Sequence, residues 1–338
     1  MRGVDVEPVS AWLVEHVTGA TAPFTIELIA GGHSNLTYRV QGADGPPFVL
    51  RRPPLGHVLA TAHDMAREYR IIAAVGATTV PVAPAFGLCT DDIVNGAPFY
   101  VMGFVPGMVL DSPEKAELLG PEARRHASER LVEVLATLHA VDVDAVGLGD
   151  LARRDGFLER QLKRWSRQWA ASKTRELPAI EEVERRLRQD PPEQQGVAIV
   201  HGDYRFGNML VGPHGDIRAV LDWELCTLGD ALADVGWLLM YWSDPGEVRQ
   251  QHDPTAAGGF LSRREVLDRY QRLTGRDLSR IDYYAAFAYW RSAIIGEGVY
   301  SRYLNGVMGD ESFDFAHFGE NVERAAGLAL EAVSRLPT

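Results

Sequence analysis

A short polar segment set between apolar runs constrains the fold of this 338-residue chain more than any other feature. The run 197–200, Val-Ala-Ile-Val, predicts a buried strand that ends where the segment begins. After the segment, the runs 209–211 and 217–221 flank the sequence Gly-Pro-His-Gly, which is typical of a tight turn, and together they predict a β-hairpin. The polar segment, residues 201–208 (His-Gly-Asp-Tyr-Arg-Phe-Gly-Asn), is therefore held between a strand and a hairpin.

Three oxygen-bearing side chains lie on this scaffold at positions where they can converge. Asp203 and Asn208 are in the polar segment, and Asp222 follows the second strand of the hairpin. Phosphoryl transfer requires such a set, because one carboxylate must hold the attacking hydroxyl while an amide oxygen and a second carboxylate hold Mg²⁺ against the nucleotide phosphates. Each residue alone could be a turn or cap residue, but the three together at this spacing favour a site.

These motifs resemble those of the aminoglycoside phosphotransferase and choline kinase group, which are distant relatives of protein kinases. The chain is most similar to bacterial phosphotransferases related to the kinase-like domains that are fused to some acyl-CoA dehydrogenases. The strings 48–54, 156–165 and 230–234 also fit that subgroup, and the resemblance runs from about Ile26 to the C-terminal helices.

The resemblance implies a two-lobed α+β fold of the protein-kinase type. A small antiparallel sheet would form a nucleotide-binding lobe, residues 1–105, and a larger, mostly helical lobe, residues 106–338, would carry the catalytic and substrate-binding groups. The cofactors implied are ATP and Mg²⁺. Asp203 would accept the proton of the acceptor hydroxyl, and Asn208 and Asp222 would be the magnesium ligands.

The N-terminal part of the chain carries features suited to a nucleotide. Strands predicted at 24–29 and 36–40 flank a tight turn with two glycines, whose backbone can approach phosphates because glycine has no Cβ; an ordinary hairpin is the alternative. The next strand, 48–51, places Val49 and Arg51 on one face, facing the adenine and the phosphates. Arginine stands here where kinases usually have lysine. The residues assigned to nucleotide binding are Gly31, Gly32, Ser34, Asn35, Val49, Arg51, Met102, Gly103 and Val105.

A glutamate on the next predicted helix, 61–75, belongs to the same group. Glu68 falls on the apolar face of this helix, where a carboxylate is costly unless it is paired. The resemblance pairs Glu68 with Arg51 and makes both part of the catalytic apparatus. The alternative is a glutamate at the rim of the apolar face that pairs with Arg70 or with solvent.

The apolar run 98–105 predicts the strand whose end would be the hinge between the lobes. In the family that it resembles, backbone groups of this segment recognise adenine. The Gly103 carbonyl and the Val105 N–H would make these contacts, with Met102 behind the base. A plain sheet strand would have the same sequence.

Beyond the hinge the sequence predicts mostly helices, at 121–140, 155–171, 178–188, 232–242, 263–274, 282–303 and 312–336. One segment there bears on the phosphate acceptor, since residues 151–175 hold eight basic and two acidic residues in a chain with a net charge of −12. A solvated helix face is the ordinary explanation. If the helix borders the acceptor pocket, an anionic substrate with an apolar portion, such as a hydroxyacyl-CoA, is favoured.

Composition excludes several other classes of protein. The acidic net charge argues against a nucleic-acid-binding surface, and no apolar run reaches the ~18 residues of a membrane span. The first seventeen residues lack the features of a signal peptide, and the two cysteines form no disulfide framework. The sequence thus predicts a cytoplasmic enzyme that acts on a hydroxyl of a small molecule, without nucleic-acid or membrane partners, and leaves its oligomeric state open.

Three alternatives remain at the level of sequence. The first is an aminoglycoside O-phosphotransferase, whose pocket for a polycation is expected to be rich in carboxylates. The second is a catalytically silent nucleotide-binding regulator, although such a protein need not retain all of Asp203, Asn208 and Asp222. The third is a metal-dependent phosphohydrolase, which needs more ligands for two metal ions than the sequence offers.

Overall fold

The computed structural model of the protein describes residues 3–30, 35–55, 64–247, 253–305 and 315–336. The strands of the described ranges, in chain order, are β1 Thr25–Ala30, β2 Leu36–Gln41, β3 Phe48–Arg52, β4 Ala85–Cys89, β5 Phe99–Gly103, β6 Met108–Val109, β7 Ala198–Val200, β8 Met209–Val211, β9 Ile217–Val220 and β10 Thr227–Gly229. The helices are α1 Val6–His16, α2 Met65–Gly76, α3 Asp92–Asn95, α4 Pro113–Glu117, α5 Pro121–His139, α6 Phe157–Ser172, α7 Pro178–Gln189, α8 Leu232–Met240, α9 Arg263–Thr274, α10 Ile281–Leu304 and α11 Phe315–Ser334.

The N-terminal part is a five-stranded antiparallel sheet with the strand order β1-β2-β3-β5-β4. Side chains alternate between its two faces along each strand. One face carries Tyr38, Leu50 and Val101, which pack with Val9 and Leu13 of α1 in a single apolar core. Helix α1 therefore covers this face, and the opposite face is left for the interior of the protein.

The opposite face of the sheet carries Val49 and Arg51, as the alternation along β3 predicted. These two residues lie in register with Met102 and Tyr100 of β5. Helix α2 covers part of this face, where Ile72 is buried in the same apolar core as Val49 and Tyr100. The charged end of β3 is thus brought beside the first turns of α2.

The rest of the chain is mostly helical and contains two small sheets. Helix α10, with 24 residues, packs against α6, α8 and α11. Strand β7 pairs with β10, and β8 lies between β6 and β9. The predicted hairpin is confirmed, with Met209 opposite Val220 and Leu210 opposite Ala219. The polar segment 201–208 connects these two small sheets.

Some predicted boundaries are wrong. The strand expected over 98–105 ends at Gly103, because its partner β3 begins at Phe48 and the preceding Pro47 has no N–H to continue the ladder. The helix expected over 232–242 ends at Met240. Residues 61–63 and 312–314, expected to begin two helices, lie outside the described residues.

Five short elements were not predicted, namely β4, β6, β10, α3 and α4. Each has two to five residues, which is too short for a hydrophobic period to stand out. Over the described residues, none of the helices combines the length and the apolar character needed to cross a bilayer.

Candidate active site

A buried carboxylate on α8 anchors the start of the polar segment 201–208. Asp234 accepts hydrogen bonds from the backbone N–H groups of His201 and Gly202, at 2.7 and 2.8 Å. His139 lies 3.3 Å from the same carboxylate. Burial alone would raise the pKa of Asp234, but the bonds to His139 and to the segment lower it. A buried anion therefore fixes the start of the segment, because the two backbone N–H groups and His139 together compensate its charge.

His201 connects the segment to the hairpin. Its Nε2 is 2.9 Å from the carbonyl oxygen of Leu221, and its Nδ1 accepts the backbone N–H of Asp203 at 3.2 Å. The Leu221 N–H in turn donates to the carbonyl oxygen of Asn208 at 2.8 Å. The three predicted site residues are consequently tied together through the backbone of one histidine-containing loop and one strand end.

The carboxylate of Asp203 accepts three hydrogen bonds from side chains. Oδ1 accepts from Trp237 Nε1 at 2.6 Å and from Arg205 Nε at 3.2 Å. Oδ2 accepts from Asn208 Nδ2 at 2.7 Å. The same Nδ2 also donates to the Asp203 carbonyl at 2.8 Å, so Asn208 directs its amide group at Asp203 and keeps its Oδ1 for another partner.

Asp222 stands beside Asn208 in a strained backbone conformation. Its φ is 65°, and it is the non-glycine residue with a positive φ within the described part of the chain. Such a conformation costs of order 1–3 kcal/mol and is found mostly at functional sites. The Asp222 carboxylate contacts Arg51, with Oδ1 2.7 Å from Nη2. The strain thus turns a carboxylate at the end of β9 toward β3.

Arg51 bridges two carboxylates. Its Nε lies 3.1 Å from Oε1 of Glu68, which is 3% exposed. The hydroxyl of Tyr100 donates to the same Oε1 at 3.0 Å, and Asn35 Nδ2 donates to Oε2 at 3.4 Å. Burial raises the pKa of Glu68, and the guanidinium of Arg51 offsets this only in part. Burial would lower the pKa of Arg51, but Glu68 and Asp222 more than compensate and raise it.

A cavity of about 440 Å³ opens between the five-stranded sheet and the β8–β9 hairpin. This volume lies within the usual range for small-molecule sites. The predicted site residues that line it are Val49, Arg51, Glu68, Met102, Gly103, Val105, Asn208 and Asp222. Further lining residues that the sequence did not single out include Ile72, Ala83, Tyr100, Leu210 and Val220. Their apolar pattern is that of ordinary core positions, so no sequence signal separated them.

Asn35 is described and buried, whereas Gly31, Gly32 and Ser34 lie outside the described residues. At the other end of the cavity, the N–H groups of Gly103 and Phe104 donate to the carbonyls of Pro84 and Pro47. The Val105 N–H donates to no group in the described part of the chain. One backbone donor on the wall of the cavity is therefore available to a ligand.

The oxygen donors at the inner end of the cavity fit a magnesium ion. Asn208 Oδ1 and the Asp222 carboxylate are hard oxygen ligands, and Mg²⁺ is usually bound by one or two such protein groups together with substrate phosphates and water. Arg51, beside Asp222, supplies positive charge for an anion in the same cavity. The set can hold a metal–phosphate complex next to Asp203.

Three groups at the site were not predicted as site residues, namely Trp237 and Arg205, which donate to Asp203, and Tyr100, which donates to Glu68. Arg291 Nη2 donates to the Gly202 carbonyl at 2.8 Å, and its guanidinium lies 4.3 Å from the centre of the Trp237 ring. Aromatic and basic residues usually belong to the core or to solvated surfaces, and local spacing did not distinguish these.

Comparison with known proteins places these features in a wider group. The profile of the phosphotransferase enzyme family matches residues 25–277. The chain is 34% identical over 296 residues to acyl-CoA dehydrogenase family member 10 of Mus musculus, covering 86% of this chain and 27% of that protein. It is 31% identical over 327 residues to acyl-CoA dehydrogenase family member 11 of Homo sapiens, covering 93% of this chain and 41% of that protein. The chain thus spans well under half the length of these relatives.

A solved structure is similar over nearly the whole length. A putative aminoglycoside phosphotransferase from Ralstonia eutropha JMP134 superposes with a TM-score of 0.84 at 32% identity, covering 99% of both chains. The predicted fold class is confirmed: the chain has the two-lobed α+β fold of the protein-kinase type, with a small antiparallel sheet and a larger, mostly helical part.

Proposed function

The chain belongs to the phosphotransferase enzyme family, and from this premise we propose that it uses Mg²⁺ and ATP to phosphorylate a hydroxyl of a small molecule that carries an anionic group, such as a hydroxyacyl-CoA. The family and fold imply ATP-dependent phosphoryl transfer to small molecules. The observation that carries the proposal is the set Asp203, Asn208 and Asp222. Asn208 bonds directly to Asp203, and Asn208 and Asp222 line the same cavity as Arg51.

Each residue of the set would have a separate task. Asp203 would accept the proton of the acceptor hydroxyl and align its oxygen, and Arg51 would bind the nucleotide phosphates. Asn208 Oδ1 and Asp222 would hold the metal. When bound, Mg²⁺ neutralises the negative charge of the phosphates during transfer. The apolar walls formed by Val49 and Met102 would hold the adenine, and the Val105 N–H would bond to it.

The finer claim, an anionic acceptor, is supported by two arginines that form no ion pair among the described residues. Arg164 of α6 and Arg291 of α10 lie over the same indole, that of Trp165, at 5.2 and 5.1 Å from its centre. Neither forms an ion pair with any described carboxylate, whereas Arg154 and Lys173 of the same basic segment do. Burial lowers the pKa of Arg291 to about 10.

Of these two arginines, Arg291 lies close to Asp203. It contacts the ring of Trp237, and Trp237 Nε1 donates to the Asp203 carboxylate. Burial and the nearby Arg67 lower the pKa of Arg164. Cations close together are unfavourable unless an anion lies between or beside them. A phosphate or carboxylate of the acceptor would supply that anion near Asp203, in a region where a polycation such as an aminoglycoside would be repelled.

Arg164→Gln is expected to raise the KM for an anionic acceptor about 10-fold, because a charge-assisted contact is lost. The KM for ATP should not change. Arg167→Gln is the matched control, since Arg167 lies about one turn further along α6 and contacts no described carboxylate or aromatic ring. Steady-state kinetics with a hydroxy acid and its uncharged hydroxy amide check the prediction. Equal KM values for the two Gln variants would contradict it.

The function itself is tested by incubating the protein with Mg²⁺, ATP and a panel of hydroxyacyl-CoAs, hydroxy acids and aminoglycosides, and following the products by phosphorus NMR. The proposal predicts ADP and a new phosphomonoester with the anionic acceptors. A phosphomonoester formed only with aminoglycosides would support that alternative. Inorganic phosphate as the sole product would indicate a phosphohydrolase, and ATP binding without consumption would indicate a silent regulator.

A further inference from the structure

The hydrogen bonds to Asp203 leave a single position at which it can receive a proton. A carboxylate has two oxygens with about two lone-pair directions each, and so about four acceptor positions. On Oδ1, Trp237 and Arg205 occupy both. On Oδ2, Asn208 occupies one. The remaining position lies on Oδ2, beside the amide group of Asn208, a residue that lines the cavity.

The two donors to Oδ1 are themselves fixed. The Trp237 ring is buried, with Arg291 over its face at 4.3 Å and the Tyr241 ring 5.7 Å away. Arg291 is anchored by its bond to the Gly202 carbonyl. The guanidinium of Arg205 lies over Tyr241 at 4.9 Å. Neither donor can leave Oδ1 without losing a cation–π contact as well.

We propose that Trp237 is a positioning residue that fixes the Asp203 carboxylate, so that Oδ2 alone takes the proton of the acceptor hydroxyl. The proposal rests on the proposed function, because it assigns a task within the same reaction. An indole N–H donates and cannot accept, so it blocks Oδ1 whatever the protonation state of its surroundings. The acceptor hydroxyl loses its proton to Oδ2 and bonds to the γ-phosphorus, while the electron pair of the broken P–O bond stays on ADP.

A second buried tryptophan shows what a purely structural indole does in the same region. Trp242 follows α8, is fully buried, and donates its Nε1 to the backbone carbonyl of Leu261 at 2.7 Å. Trp237 instead donates to a carboxylate whose side chain remains 17% exposed. The N–H of a tryptophan that serves only the core can be satisfied by a backbone carbonyl, as in Trp242. It does not need a carboxylate at the edge of a site.

The test compares Trp237→Phe with Trp242→Phe, since each change keeps an aromatic ring and removes one indole N–H. Trp237→Phe is expected to lower kcat about 10- to 100-fold, with the KM for ATP and the ATP dissociation constant unchanged, because misalignment of the base affects only the chemical step. Trp242→Phe is expected to lower the melting temperature and to leave the kcat of the folded protein within about twofold of wild type.

A second readout follows the hydrogen bond without turnover. The indole N–H proton resonance of Trp237, assigned by its loss in Trp237→Phe, should move when Asp203→Asn removes the charge, while that of Trp242 stays in place. A wild-type kcat in folded Trp237→Phe, an equal fall of kcat in both Phe variants, or an indole resonance unaffected by Asp203→Asn would overturn the inference. Failure of the proposed function has a different signature, because the wild-type protein would then form no phosphorylated product at all.

Discussion

Asp203→Asn is expected to lower turnover by about 10²–10⁴-fold while ATP binding remains at the wild-type level, because general-base assistance contributes a factor of that size. The substitution keeps the shape of the side chain but removes its charge. It also replaces one acceptor oxygen by an NH₂ group, so that one of the three donors, Trp237, Arg205 or Asn208, loses its partner. Asp203 itself does not line the cavity that Arg51, Asn208 and Asp222 line.

The measurement is the initial rate of ADP formation with a saturating acceptor, alongside the ATP dissociation constant. Asp216→Asn is a matched control, because Asp216 lies in the turn of the same hairpin and pairs with Arg218 at 2.8 Å. That variant should turn over at the wild-type rate. If Asp203→Asn retained full activity, the carboxylate of Asp203 could not be the base.

Arg51→Met is the second substitution with a large expected effect, because Arg51 contacts Glu68 and Asp222 together. Breaking a buried ion pair from one side typically lowers the free energy of unfolding by about 3–5 kcal/mol, since the remaining charge stays buried. Tyr100 and Asn35 still donate to Glu68 and should limit the loss. ATP affinity is expected to fall about 10- to 100-fold, because a charged contact to the phosphates disappears.

The double variant Arg51→Met with Glu68→Gln separates the two effects. It should recover much of the free energy of unfolding, because the buried charge of Glu68 is removed and Asp222, which also loses its partner, is partly exposed. It should not recover ATP affinity. Denaturant titration and ATP binding measure the two quantities. A double variant that bound ATP like the wild type would show that Arg51 serves only the fold.

The stability of the single variant Arg51→Met is also expected to depend on pH, in a direction that the pKa of Glu68 defines. Burial already raises the pKa of Glu68 in the folded protein, and loss of Arg51 raises it further. At pH values between the ordinary pKa of Glu68 in the unfolded chain and its raised pKa in the folded variant, the folded state binds more protons than the unfolded state. The free energy of unfolding therefore falls as pH rises through this interval. The stability deficit of Arg51→Met should therefore shrink as pH is lowered through this interval. A deficit that grew toward low pH would contradict the burial of an unpaired Glu68.

The part of the site that could be predicted from sequence is the part built by local structure. Asp203, Asn208 and Asp222 lie within twenty residues of one another, and the hairpin between the last two is marked by two apolar runs around a Gly-Pro-His-Gly turn. The side on which Val49 and Arg51 lie follows from the alternation of side chains along a strand. Their roles remain predictions, but their places in the fold did not require knowledge of distant contacts.

The contacts that the sequence could not give join distant segments. Trp237 meets Asp203 across 34 residues, and Arg291 meets Gly202 across 89. Arg51 reaches Asp222 across 171 residues, although it was expected to contact only Glu68 and the phosphates. A tryptophan or arginine on a helix has the same local pattern whether it packs in a core or serves a site, so only the tertiary arrangement distinguishes the two.

The pairing of Arg51 with Asp222 bears on how a metal enters. One guanidinium contacts the carboxylate that would bind Mg²⁺, so Arg51 and the metal would compete for Asp222. Phosphates would draw Arg51 toward themselves and leave Asp222 to the metal. Nucleotide and metal are therefore expected to bind together and not separately.

Calorimetric titration of the wild-type protein with ATP, once with Mg²⁺ and once with a chelator, tests the account most directly, because it needs no acceptor. The account predicts one binding site per chain, with clearly tighter binding when Mg²⁺ is present and no such difference in Asp222→Asn. Absence of ATP binding, or equal affinity with and without Mg²⁺ in the wild-type protein, would contradict a metal–nucleotide site formed by Arg51, Asn208 and Asp222.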